Sequence, residues 1–218
     1  MSVVDAVSCG RGPTGRRARE NHPHPMAQSD AASCPCATTM AGRRALLVAG
    51  VCFAAGGAGA QTDAAHDRPK EGDLLVKVGS TEPTPLGPDS LPLGAGQVMA
   101  WPMDPIGNIV RDGSRLNKVL LVRLDPATLD PQTGGRAADG VVAYSAICPH
   151  TGCEVVNWSA DRQILECPCH NSQYDPKAGA RVIAGPSPRS LAALPLRIAD
   201  GKLVVARLFI GRLGIQQI

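Results

Sequence analysis

The chain has 218 residues, enough for one domain of ordinary size with appendages. Aromatic residues make up 3% of it, while Gly and Pro number 24 and 19, which disfavours a helical bundle and suits many short strands joined by tight turns. The formal charge of +3 arises entirely in residues 1–60. Residues 61–218 carry 16 Lys and Arg against 16 Asp and Glu, so the body lacks the basic footprint of a nucleic-acid-binding protein.

In chain order, the first feature is AGRRALLVAGVCFAAGGAGAQ at 41–61. Arg43 and Arg44 precede an uncharged run over 45–60, and Ala58-Gly59-Ala60 supplies small residues for cleavage before Gln61. A helix of that length rises about 24 Å, short of the roughly 30 Å hydrocarbon core, so the run reads as an export signal better than as a membrane span. The adjacent arginines followed by Leu46 and Leu47 resemble a twin-arginine signal, which exports folded proteins. An uncleaved N-terminal anchor, and hence membrane association, is the alternative. Met26 and Met40 are possible starts besides Met1, and SCPC at 33–36 has nothing nearby to complete a metal half-site. The expected organisation is an extension and signal over 1–60, a polar linker over 61–72 in which His66 is solvated, and a β domain over 73–218.

From residue 73 the pattern predicts strands at 74–78, 97–101, 117–124, 140–147, 162–166, 180–184, 194–199 and 202–210. These are short runs of Val, Ile and Leu punctuated by Gly, Pro and Asp. The spacers STEPTPLGPDSLPLGAG and DPATLDPQTGGRAADG cannot hold a helix of any length. An all-β antiparallel sandwich or barrel follows, with Trp101 and Trp158 in the core or packed under loops.

Four of the eight cysteines, Cys9, Cys34, Cys36 and Cys52, belong to the leader region. The other four, Cys148, Cys153, Cys167 and Cys169, share one window with His150 and His170. The spacing is Cys148-x-His150, 16 intervening residues, then Cys167-x-x-His170. Two thiolates and two imidazoles on loops between strands can close around one metal centre. A structural zinc site is one reading, and two disulfides with incidental histidines is another. Cys-x-His is a shorter bite than the usual zinc half-site, and two facing strand–loop–strand units can hold an extended inorganic core.

The stretches CPHTGC (148–153), CPCHNSQYD (167–175) and GPSP (185–188), in that order, resemble the Rieske iron–sulfur proteins over roughly residues 73–218. The resemblance implies a β-sandwich with a small cluster-binding subdomain formed by two loops. It implies one 2Fe–2S cluster, with one iron held by Cys148 and Cys167 and the other by His150 and His170. It further implies a Cys153–Cys169 disulfide, hydroxyl donation from Ser172 to a cluster sulfide and from Tyr174 to the Cys148 sulfur, and a covering segment containing Gly185, Pro186 and Pro188. Replacing two thiolates by neutral imidazoles raises the potential into a range of about −150 to +300 mV, and both hydroxyl donors raise it further.

The disulfide pair and the leader favour an exported protein of the periplasm over a cytoplasmic ferredoxin. Quinol-oxidising relatives carry Thr-His-Leu in the first loop, whereas Pro149 and Thr151 flank His150 here and Asn171 replaces a glycine. The expectation is therefore a periplasmic redox subunit similar to the small subunit of arsenite oxidase. It would act beside a molybdopterin enzyme or a cytochrome b type subunit and deliver electrons to a c-type cytochrome. A quinol–cytochrome c reductase subunit is the alternative, and a zinc-stabilised binding module is the alternative of another class.

Overall fold

Two strands buried on both faces explain the architecture. In β4 (Val119–Arg123) and β5 (Val141–Ser145), alternate side chains point to opposite sides. Val119, Leu121, Val141 and Ala143 enter one core with Leu75, Leu194 and Leu203. Leu120, Val122, Val142 and Tyr144 enter another with Val155, Leu165 and Tyr174. A strand covered on both faces needs no polar alternation, so VLLV and VVAY read as unbroken apolar runs.

The computed structural model describes residues 63–215, all within a unit spanning Phe53–Ile218. The signal expected over 1–60, the SCPC stretch and the last three residues lie outside the described residues. Among the described residues no helix is long and apolar enough to cross a membrane.

Five further strands complete the large sheet: β1 (Leu74–Lys77), β2 (Gln97–Asp104), β3 (Ile109–Val110), β10 (Leu196–Ala199) and β11 (Lys202–Val205). The order is β10-β11-β1-β2-β4-β5, with β3 paired to β2. A second sheet is formed by β6 (Asn157–Ser159), β7 (Ile164–Cys167), β8 (Ser172–Asp175) and β9 (Arg181–Ala184), in that order. All pairings are antiparallel. This is the all-β antiparallel sandwich with a small subdomain that the sequence predicts.

The differences are local. β3, β6 and β8 were not anticipated. The run 202–210 leaves the sheet after Val205, and Ile210 returns to bridge Ala193. The Pro-rich spacers contain only single turns and one four-residue helix, Pro131–Gly134, capped by the Asp130 carboxylate on the Thr133 N–H at 2.6 Å. Residues 64–67 of the stretch read as linker lie against the segment before β4. Gly113 N–H donates to Ala65 O at 3.1 Å, and Asn117 Nδ2 donates to Asp67 O at 2.7 Å. His66 packs its ring against Gly113. Trp158 packs on the inter-sheet core, and Trp101 lies under the Lys118 ammonium, which is 5.1 Å from its ring centroid.

The helix that Asp130 caps also joins the two sheets. Gly179 N–H donates to Thr133 Oγ1 at 2.8 Å, Asp130 N–H to Lys177 O at 3.0 Å, and the buried Tyr144 hydroxyl to Pro176 O at 2.7 Å. The residues following β8 are thereby fixed to the β4–β5 side of the large sheet. Burial pushes the Tyr144 hydroxyl well above its usual pKa, so it stays a donor at all ordinary pH.

Candidate metal centre

Cys148 lies four residues beyond Tyr144 on the continuation of β5 and belongs to the same inter-sheet core. The first loop then closes on itself: Cys148 N–H donates to Cys153 O at 2.8 Å, and Gly152 N–H returns to Cys148 O at 3.0 Å. The turn needs a left-handed residue, and Gly152 supplies it at φ 79°. In the second loop the corresponding position is Asn171, at φ 54°, whose N–H donates to Cys167 O at 3.0 Å. Asn is among the few non-glycine residues that tolerate this region, so the replacement noted in the sequence keeps the turn. Cys167 ends β7 and pairs across with Ser172, which begins β8.

A disulfide joins Cys153 to Cys169 and ties the two loops together. Cys148 and Cys167 are free thiols, each 1% exposed. The His150 and His170 rings meet edge to face, with their Nδ1 atoms 3.2 Å apart. Two nitrogens each about 2.1 Å from one tetrahedral metal sit about 3.4 Å apart, so the imidazoles are set as a ligand pair.

The arrangement discriminates between one metal and two. A single Cys₂His₂ tetrahedron would bring all four donor atoms within about 4 Å of one another. Among the described residues the only group of three or more such donors that close, within 4.8 Å, is Cys153, Cys167 and Cys169, two of which are spent in the disulfide. The free thiols and the imidazoles are therefore separate pairs, suited to a core with a metal at each end and unsuited to mononuclear zinc.

The surroundings fit a buried anionic end. Tyr174, fully buried, places its hydroxyl 3.1 Å from Cys148 Sγ. Burial first, and the Cys148 contact second, push that phenol well above its ordinary pKa, so it keeps its proton and is the donor of the pair once Cys148 is a thiolate. The Cys167 thiol is pushed up by burial and by Cys148 beside it, while the backbone N–H groups of Cys169 and His170 act in the opposite sense. Those N–H groups favour a thiolate once a cation is present.

The 185–188 segment packs against Asn171 and Ser172 at the start of β8. Ser187 N–H donates to Ser172 Oγ at 3.1 Å, which leaves the Ser172 hydroxyl proton free to point elsewhere. A Cβ on Gly185, at φ 86°, would lie 2.5 Å from Ser172 Cα, so only glycine permits the third loop to approach β8. Pro186 and Pro188 are exposed on either side of the buried Ser187. Sequence reasoning missed Ser187 and also Arg115, whose guanidinium donates to Gly152 O at 2.5 Å. Ser187 lies inside the GPSP stretch but has no role assigned by it, Arg115 lies in no motif, and only packing reveals the contacts of either.

This fold and site define the class: the chain belongs to the Rieske iron–sulfur family, whose domain binds one 2Fe–2S cluster. The family described as Rieske 2Fe-2S domain matches residues 118–195. Among curated relatives, the "Cytochrome bc1 complex Rieske iron-sulfur subunit" of Streptomyces lividans is 32% identical over 141 residues, covering 62% of this chain and 79% of the relative. A "Putative respiratory nitrate reductase subunit Rieske" of Haloferax mediterranei is 37% identical over 106 residues, covering 48% of this chain and 47% of the relative. A "Cytochrome b6-f complex iron-sulfur subunit" of Prochlorococcus marinus is 44% identical over 73 residues, covering 34% of this chain and 39% of the relative.

Proposed function

We propose that Cys148 and Cys167 hold one iron and His150 and His170 the other, and that the protein carries single electrons as a subunit of a larger redox complex outside the cytoplasm. The separation of a buried thiol pair from a converging, more exposed imidazole pair carries this reading. When bound, the cluster supplies a one-electron couple within about −150 to +300 mV. The chain's own residues set where in that range it falls. The Tyr174 hydroxyl donates to the Cys148 sulfur, and the Ser172 hydroxyl has its proton free for a sulfide; both favour the electron-rich state. His170 is exposed and His150 half-buried, so electrons enter and leave at the imidazole end.

The test is composition and colour: purified protein should contain two irons and two acid-labile sulfides per chain and absorb visible light. Colourless folded protein with stoichiometric zinc would defeat the assignment.

For the complex, we favour a periplasmic subunit of the arsenite-oxidase-small-subunit kind, working between a molybdopterin subunit and a c-type cytochrome. Its support is the first loop, where the exposed Thr151 stands after His150 in place of an apolar leucine and Pro149 precedes it in place of a threonine. A quinol–cytochrome c reductase subunit, paired with a cytochrome b, is the second reading. It is favoured by the Streptomyces lividans relative. Reduction of the isolated complex by a soluble quinol, abolished by quinol-site inhibitors, would select the second over the first. Export rests on the leader: Arg43→Lys with Arg44→Lys should retain the protein in the cytoplasm, and an exported double variant would exclude the twin-arginine route.

A further inference from the structure

Three arginines from separate segments line one surface cavity of about 350 Å³. Arg136 follows the four-residue helix before β5, Arg189 follows the 185–188 segment, and Arg212 lies near the C-terminus. The backbones that carry them are pinned by hydrogen bonds. Leu196 N–H donates to Arg136 O at 2.9 Å and Leu191 N–H to Ala180 O at 3.3 Å, while Ala193 and Ile210 exchange two bonds at 2.9 and 2.7 Å. The fold itself therefore brings the three cations to one place.

Among the described residues no carboxylate lines the cavity, although residues 61–218 carry equal numbers of basic and acidic side chains. Asp130 feels Arg136 only at a distance, because its carboxylate accepts from Thr133 N–H at 2.6 Å. Among the described residues no ion pair engages Arg136, Arg189 or Arg212. Arg189 spends one terminal nitrogen on Gly214 O, and its Nε is buried without a hydrogen-bond partner. A buried donor left unpaired is costly, and native structures rarely keep one without a ligand, ion or water to meet it. The Gln132 amide and the Ser190 hydroxyl add uncharged donors to the same lining.

We infer that this cavity binds a small phosphoryl anion. Like charges gathered without a counter-charge repel, and an anion between them turns that cost into attraction. Each guanidinium offers a rigid fork of N–H donors that matches phosphate oxygens. Donors arriving from three segments suit a tetrahedral group, whose oxygens point in several directions, better than a planar carboxylate. The volume lies near the lower end of the roughly 300–1,000 Å³ of small-molecule sites, in keeping with one or two phosphoryl units. An anion bound there bridges the helix before β5, the segment after 185–188 and the C-terminal segment, and so braces the joint between the sheets. The site stands apart from the electron-carrier reading. The phosphoryl group arrives either free or as a lipid headgroup, and the experiment separates these sources.

Purified holo-protein is titrated by calorimetry with inorganic pyrophosphate and, separately, with citrate at equal ionic strength. Pyrophosphate should bind once per chain, at least about tenfold more tightly than citrate, with the visible spectrum unchanged. It should also raise the unfolding temperature as its concentration grows. Arg136→Gln with Arg212→Gln should weaken pyrophosphate binding at least about tenfold. Arg197→Gln with Lys202→Gln, which removes equal charge from β10 and β11, should leave it intact. In the wild type, phenylglyoxal labelling of Arg136 and Arg212 should slow under pyrophosphate while that of Arg197 does not, a readout that needs no variant to fold. Binding to vesicles containing phosphatidic acid that pyrophosphate displaces would identify a headgroup as the source and uphold the site. The inference is overturned by the absence of saturable pyrophosphate binding, by equal affinity for citrate, by equal weakening in the two double variants, or by labelling that pyrophosphate leaves unchanged.

Discussion

The two sheets are stabilised differently. The large sheet buries Leu, Val and Ala on both faces of β4 and β5 and stands on apolar area. The small sheet is built from strands of three or four residues, NWS, ILEC, SQYD and RVIA, and β9 has three of its four residues exposed. Its apolar burial is confined to the inter-sheet core it shares through Leu165 and Tyr174, and beyond that it relies on the Cys153–Cys169 cross-link and on hydrogen bonds to the helix before β5 and to Tyr144. The scaffold is thus set by burial on both faces, and the functional end by burial on one face reinforced by discrete polar and covalent ties. Such a division places the site on loops while its ligands stay anchored to rigid strands.

The comparison predicts where damage is greatest. Leu120→Ala, at a fully buried position between the sheets, should destabilise the protein by about 2–5 kcal/mol, whereas Val182→Ala in β9, half-buried, should cost clearly less. Denaturant unfolding of both variants measures this; equal losses would mean that the small sheet has a core of its own. Next in size is the cross-link. Cys153→Ser or Cys169→Ser should remove about 2–4 kcal/mol, shorten cluster lifetime, and leave the Leu120 region folded. Far-UV and visible spectra followed together under denaturant should then show the visible signal lost first.

Smaller and more specific is Tyr174→Phe, which keeps the ring packed and removes only the donor to Cys148. A hydrogen bond to a charged group is worth about 1.5–3 kcal/mol, of which the difference between redox states is a part. With 59 mV per tenfold for one electron, the midpoint potential should fall by roughly 50–100 mV. Ser172→Ala should lower it similarly, and the two losses need not add because they act on one centre. Voltammetry of both variants is the check; potentials unchanged within a few millivolts would remove these donors from the account.

The smallest effect lies at the joint between the sheets. Asp130→Ala should cost about 1 kcal/mol at neutral pH, the usual value of a helix cap. The Asp130 carboxyl is depressed mainly by the Thr133 N–H, so its contribution is full above the unfolded value of about 3.9 and is lost as pH falls through the lower folded value. The gap between variant and wild type should therefore close below about pH 4, and a gap persisting there would assign the loss to packing.

Much of this division was legible in the sequence, for a physical reason. The strands of the large sheet announce themselves as runs of Val, Ile and Leu because burial on one or both faces demands apolar residues. β8 was hidden because its inward residues, Ser172 and Tyr174, are polar; the alternation with Gln173 and Asp175 is real but carries donors on the buried side. β6 was hidden because two of its three residues are Asn157 and Ser159. At the site, the residues of the two loops could be named from their motifs. The contacts of Ser187 with Ser172, of Gly185 with β8 and of Arg115 with Gly152 depend on distant segments meeting, and no local pattern encodes them.

The central claim is that one metal of the pair is held by both imidazoles and the other by both thiolates. Pulsed electron paramagnetic resonance of the reduced protein grown with ¹⁵N-histidine tests it most directly. The account predicts strong hyperfine coupling from two imidazole nitrogens, at the positions that face each other at 3.2 Å, with a single coupled nitrogen remaining in any His150 or His170 variant that retains its cluster. A reduced spectrum without coupled histidine nitrogen, or with only one in the wild type, would contradict it.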